Sequence, residues 1–150
     1  MKFLLVGKKG CGKSTLLYSL FKEYDCGGIV CLPIVEEDKQ VGKDAINMAT
    51  HESTIFCRIK EKADFNGILI GKYIIRREAM DFCIKAFGES LNKKIIIIDE
   101  FGYLEMEEKG LYEIIKKILE TDKNVIIALR QELEEAFLKK MTYKFITLRM

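Results

Sequence analysis

A chain of 150 residues is the length of one ordinary domain, long enough to bury roughly 68–70% of the surface its unfolded form exposes. With 49% hydrophobic and 32% charged residues, one Pro and eleven Gly, the composition builds a core and excludes intrinsic disorder. Twenty-five basic against twenty-three acidic side chains give a net charge of +2 with the signs interspersed, too even a balance for a dedicated nucleic-acid binder.

The chain opens on a short apolar stretch, Lys2 to Val6, that ends at Gly7 and is stopped by Lys8 and Lys9. It reads as a strand, and no secretory leader or membrane-spanning helix is expected: the longest aliphatic run, Ile95 to Ile98, falls far short of the about 20 residues that cross a bilayer. From Lys13 a helical pattern places Leu16, Leu17, Leu20 and Phe21 on one face. Ile29 to Leu32 then reads as a strand. After Pro33 and an acidic patch, Ala45 to Thr50 and Ser53 to Ile59 read as an antiparallel hairpin that turns near His51 and Glu52.

Ala79, Phe82, Cys83, Ala86 and Phe87 share one helix face, as do Leu111, Ile114, Ile115, Ile118 and Leu119. Lys94 to Ile98 and Val125 to Leu129 are continuous Ile/Val runs without polar alternation, which suits parallel strands covered on both faces. A helix over Gln131 to Lys140, with Leu133, Ala136 and Phe137 inward, precedes a last strand from Tyr143 to Leu148. Residues 1–150 are therefore read as a single α/β domain: an open, mostly parallel, doubly wound sheet with helices on both faces and an antiparallel hairpin insertion. Cys11, Cys26, Cys31, Cys57 and Cys83 contain no C-x-x-C pair and read as reduced thiols of a cytoplasmic protein. The single His51 is too distant from any cysteine pair to suggest zinc, and reads as a turn residue.

Gly7-Lys8-Lys9-Gly10-Cys11-Gly12-Lys13-Ser14 matches G-x-x-x-x-G-K-[ST], a pattern that a chain of this size meets by accident roughly once in several hundred. The glycines reach backbone angles closed to other residues, so successive N–H groups turn inward around phosphate oxygens at the positive end of the following helix. Lys13 would reach the β- and γ-phosphates, Ser14 would complete the coordination of Mg²⁺, and Thr15 is a candidate contact to the α-phosphate. The expected ligand is ATP, GTP or another nucleoside triphosphate. A second acidic element stands where a buried strand ends, in Ile95-Ile96-Ile97-Ile98-Asp99-Glu100. Asp99 is the candidate for the metal, and Glu100 for orienting or deprotonating the attacking water. Asp99-Glu100-Phe101-Gly102 also fits D-x-x-G, in which a glycine amide senses the γ-phosphate; the guanine-reading N-K-x-D is absent.

These residues resemble the small nucleoside-triphosphatase family first known from thermophiles, which has a human cancer-related member. The likeness runs through the glycine loop, the β-rich segment from Gly42 to Cys57, Gly71-Lys72-Tyr73 before a helix, Asp99-Glu100-Phe101-Gly102 with Leu104-Glu105, and Asn124-Val125. It implies a P-loop fold of the type with an added catalytic glutamate, and Mg²⁺-dependent hydrolysis of nucleoside triphosphates with loose base selectivity. Family members usually carry a Thr and an acidic residue where this chain reads Gly28 to Pro33, and a polar residue near Leu129. They also tend to continue with another helix where this sequence ends at Met150; apolar surface left there would suit a protein partner or a second copy.

Arg130 follows a parallel strand and so falls at the ligand edge of the sheet, while Arg76 and Arg77 start a helix and are candidates for a lid; each is weighed against a solvated charge. Glu105 reads as a helix-start charge, with a bond to a loop amide as the alternative. Two further functions stay open at this level: a small-molecule or nucleotide kinase using the same cradle, and a nucleotide-gated binding module.

Overall fold

The computed structural model describes residues 1–99 and 101–150. In chain order they form β1 (Lys2–Gly7), α1 (Lys13–Phe21), β2 (Gly27–Glu36), β3 (Lys39–Asn47), β4 (Ser53–Ile59), β5 (Gly67–Ile70), β6 (Tyr73–Arg76) and α2 (Arg77–Glu89). There follow β7 (Ile95–Ile98), α3 (Tyr103–Met106), α4 (Tyr112–Leu119), β8 (Asn124–Arg130), α5 (Glu134–Lys140) and β9 (Phe145–Arg149), with 3-10 turns at Ser90–Asn92 and Gln131–Leu133. Among the described residues the strands make one nine-stranded sheet in the order β5-β6-β4-β3-β2-β7-β8-β1-β9.

The sheet has two halves. From β2 through β7, β8 and β1 to β9 every pairing is parallel, and from β2 outward through β3, β4, β6 and β5 every pairing is antiparallel. The central strands are apolar on both faces because both faces are covered. Leu4, Val6, Ile29, Ile96, Ile98, Ile127 and Leu129 pack with the buried faces of α2, α4 and α5, contributed by Ala79, Cys83, Phe87, Ile115, Ile118 and Phe137. The alternate residues Leu5, Val30, Ile97 and Ala128 pack on the opposite face with Leu17 of α1. The side-chain period of two in β7 thus feeds both cores from one Ile run.

Two helix faces differ from the sequence expectation. Leu17 of α1 is buried and Phe21 half-buried, whereas Leu16 and Leu20 are exposed. One helix on a broad sheet face presents a narrow stripe to it, and Leu16 and Leu20 lie beyond the edge of that stripe. Over residues 131–140, Leu133 and Phe137 are buried but Ala136 is exposed, because Gln131–Leu133 form a 3-10 turn that shifts the phase of α5 after it.

The antiparallel half is larger than the expected hairpin. β2 runs on through Pro33 to Glu36 and pairs with β3 across a tight turn at Glu37 and Asp38, both with positive φ. Pro33 is tolerated because β2 meets β7 only over Gly27 to Ile29, so beyond that point one edge is open and a missing N–H leaves no ladder bond unmade. The hairpin between β3 and β4 turns where expected, with His51 at φ 66°, but its first strand is Lys39–Asn47 and not Ala45 to Thr50, because Met48 to Thr50 belong to the turn. The β5–β6 hairpin, turning at Gly71 and Lys72, extends the wing further. Where β2 crosses β7, Gly28 takes φ 96°, and a Cβ there would collide with the backbone carbonyl of Ile97.

Candidate active site

The anion loop occupies the turn from β1 into α1. Gly10 and Gly12 have φ of 76° and 95°, and a Cβ at either position would meet nothing within 4 Å, so these glycines are required by backbone angle and not by space. Gly12 caps α1 without any side-chain hydrogen bond, which leaves the first-turn N–H groups of α1 for an anion. Lys13 folds back over the loop: its Nζ donates to the Gly7 carbonyl at 3.0 Å and to the Lys8 carbonyl at 2.9 Å, and lies 3.9 Å from Cys11 Sγ.

A cavity of about 370 Å³ opens over the loop at the carboxyl ends of the parallel strands. Lys9, Gly10, Gly12, Lys13, Ser14 and Thr15 form one side of it. Asp99, Ala128 and Arg130 stand at the strand ends, and the antiparallel half supplies the opposite wall with Pro33, Gln40, Lys43, Phe56 and Ile75. Of the loop residues singled out by the sequence, Gly7, Lys8 and Cys11 lie outside this lining; the first two present their carbonyls to Lys13. Cys11 is exposed, while Cys26, Cys31, Cys57 and Cys83 are buried.

Asp99 follows β7, and its Oδ2 accepts the Cys31 N–H at 2.8 Å. That bond ties the acidic position to β2 and fixes where the carboxylate enters the cavity. Glu100, the candidate base, lies outside the described residues. Ser14 and Asp99 offer a hydroxyl and a carboxylate to the same cavity, hard oxygen donors of the kind Mg²⁺ takes when phosphates and water complete its shell. The described residues contain no cluster of three or more His, Cys, Asp or Glu able to hold a metal alone.

Glu105 is more than a helix-start charge. It is buried, 5% exposed, and its carboxylate accepts the Gly102 N–H at 2.9 Å and the Leu111 N–H at 3.0 Å. It therefore ties together the two ends of the segment 102–111. The Gly102 amide, a candidate phosphate sensor in a D-x-x-G reading, is engaged by Glu105 in this structure. Arg76 is also committed elsewhere, to Thr54 Oγ1 at 3.2 Å and Glu78 Oε2 at 3.5 Å, and neither Arg76 nor Arg77 lines the cavity.

Positive charge gathers at the mouth. The Lys9 ammonium lies 5.6 Å from the Tyr73 ring centre, and the Lys72 ammonium 5.4 Å from the same ring. Burial lowers the Lys9 pKa first, and the neighbouring charges of Arg130, Lys72 and Lys43 lower it further. Lys43 escaped the sequence reading, and Lys72 and Tyr73 entered it only through the family resemblance. All three come from the antiparallel wing, and no local pattern ties them to the glycine loop.

A family model described as NTPase matches residues 2–148. The chain belongs to that NTPase family. As a member it is a nucleoside-triphosphatase. Among its relatives, the nucleoside-triphosphatase THEP1 of Methanocaldococcus jannaschii is 28% identical over 147 residues, covering 93% of this chain and 84% of the relative. THEP1 of Thermotoga maritima is 26% identical over 144 residues, covering 94% and 80%. The crystal structure of THEP1 from Aquifex aeolicus superposes with a TM-score of 0.77 at 19% identity, over 99% of this chain and 89% of that one. The solution structure of a human cancer-related nucleoside triphosphatase gives 0.67 at 16% identity, over 98% and 88%. Both share the P-loop α/β fold of the NTPase family.

Proposed function

We propose that this NTPase-family chain hydrolyses the β–γ bond of Mg²⁺-bound nucleoside triphosphates with little regard for the base. The observation that carries this reading is the joint placement of Lys13, Ser14 and Asp99 on one cavity at the uncapped start of α1. The α1 amides and loop N–H groups bind the β-phosphate. Lys13 exchanges the Gly7 and Lys8 carbonyls for β- and γ-oxygens, a trade of two neutral acceptors for charged ones. Mg²⁺, bound through Ser14 and through Asp99 or its waters, would supply neutralisation of phosphate charge. Asp99 is held for that task by the Cys31 N–H. Glu100, next in sequence, takes the proton of the attacking water.

The absence of an N-K-x-D motif from the sequence supports loose base selectivity. A kinase reading draws on one feature: the cavity continues past the loop to Phe56, Ile75 and Met80, space in which an acceptor would sit. Phosphate release from ATP, GTP, CTP and UTP, with Mg²⁺ or with EDTA and no acceptor present, tests the proposal. Release from all four within about tenfold and abolished by EDTA is the expected result; release that needs an added acceptor would favour the kinase.

A further inference from the structure

The sequence contains five arginines, Arg58, Arg76, Arg77, Arg130 and Arg149. Arg58 is held by Asp44 at 2.9 Å and by the Lys43 and Cys57 carbonyls. Arg76 is held by Thr54 and Glu78, and Arg149 forks onto Glu134 at 2.6 and 2.7 Å. Arg77 is exposed and lies off the cavity. Arg130 differs from all of these. It lines the cavity, is half-buried, and among the described residues forms no ion pair. Its guanidinium rests 5.7 Å from the centre of the Tyr103 ring.

The sheet places Arg130 beside the glycine loop, at the carboxyl ends of the parallel strands. β8 lies between β1 and β7, and Arg130 ends it directly opposite Gly7, the first residue of the anion loop. On its other side β8 pairs with β7, whose end leads into Asp99. Arg130 thus stands on the strand that separates the phosphate cradle from the acidic strand end. The Tyr103 hydroxyl also reaches Glu132 Oε1 at 3.4 Å, in the 3-10 turn that follows Arg130, a long contact that adds little to the ring's placement. A guanidinium laid on a ring face gives up little of its hydration and keeps its N–H fork free, so a phosphate can capture it cheaply. The repulsion that Lys9 feels from Arg130, Lys72 and Lys43, opposed in part by Glu132, adds a field that favours an anionic ligand.

We propose that Arg130 is a catalytic residue, the built-in arginine whose fork contacts the γ-phosphate oxygens as the β–γ bond breaks, and that Tyr103 is the residue that positions it. This rests on the hydrolase reading above. Removing one preorganised donor to transition-state charge typically lowers kcat about 10²–10³-fold. Arg130→Ala should therefore lower kcat for ATP by that factor with KM changed less than about threefold, and Arg130→Lys should restore part of it, keeping the charge but losing the fork. Tyr103→Phe should keep most of the rate, and Tyr103→Ala should lose about tenfold or more.

The decisive measurement is binding of ADP alone and of ADP with Mg²⁺ and aluminium fluoride, a mimic of the phosphoryl group in transfer. In Arg130→Ala the fluoride complex should weaken by about the factor lost from kcat while ADP affinity stays within about twofold. Equal weakening of both would assign Arg130 to the shape of the loop, and unchanged affinity for both with unchanged kcat would make it a surface charge; either result overturns the inference alone. Failure of the unaltered protein to release phosphate from any triphosphate would overturn the hydrolase reading and this inference with it.

Discussion

On the proposed hydrolase reading, Lys13 and Glu100 would divide the work of the site between binding and chemistry, and substitution separates the two. In Lys13→Ala the lost ammonium is the one that would face the β- and γ-oxygens on that reading, while the amide cradle of Gly10 to Ser14 would be left to hold a β-phosphate. Calorimetry should show ATP affinity falling about tenfold or more, the value of one charge-assisted hydrogen bond, and ADP affinity falling several-fold less. Equal losses would mean that the loop, deprived of its bonds to Gly7 and Lys8, had collapsed. Glu100→Gln keeps size and hydrogen bonding but cannot take a proton. Steady-state phosphate release should drop about 10²–10⁴-fold with Mg·ATP affinity changed less than about threefold. Asp99→Asn should differ by losing Mg²⁺-dependent affinity as well as rate. Near-normal turnover in Glu100→Gln would remove it as the base.

At the level of elements, the β2–β7 junction carries the site, because it brings Cys31 of β2 against Asp99 after β7. Gly28 makes that junction close: its positive φ and the approach of the Ile97 carbonyl leave no room for a side chain. Gly28→Ala should destabilise by at least about 2 kcal/mol, read as a lower urea midpoint at constant m. It should also weaken Mg·ATP binding through displaced Asp99. Most elements of the parallel half are legible in the sequence, since strands buried on both faces read as unbroken Ile and Val, and helices packed on them keep a strict apolar period. The wing is legible only at His51, where strand-forming runs flank a turn. β2 past Pro33 reads as a loop because a proline signals a strand's end, and only the open edge of β2 makes it harmless there. Leu16 and Leu20 show the same limit: periodicity marks a helix face, but the width of the surface opposite decides how much of it is covered.

Across the whole molecule, α5 and β9 close the sheet's far edge, and one ion pair links them. The Arg149 fork holds the Glu134 carboxyl below its ordinary value of 4.5, against the opposing effect of burial. A carboxylate whose folded pKa is depressed contributes stability above its unfolded value and loses it as pH falls through the folded one. Arg149→Ala should therefore be less stable than the unaltered chain at pH 7, and the gap should close as the pH drops below about 4.5. Urea titrations of both proteins at about pH 7 and about pH 3 check this; a gap that stays constant with pH would assign the effect to packing. The described helices include none long and apolar enough to cross a membrane.

Local sequence is sufficient for the fold class and the anion loop, because Gly7 to Ser14 is a device whose backbone angles, helix start and lysine all lie within one short stretch of chain. It also marks Asp99, since an acidic residue after an all-Ile run stands at a strand end. What faces that loop is settled by the packed sheet. Lys43, Lys72 and Tyr73 reach the cavity or its mouth through antiparallel pairings distant in sequence, Glu105 gains its loop-bracing bonds only when residues 102–111 fold around it, and Arg130 acquires its place from the strand order that sets β8 between β1 and β7. Local patterns encode backbone shape and burial, which depend on neighbours in the chain; the convergence of charges on a ligand depends on which strands pair, and that is decided by packing of the whole sheet.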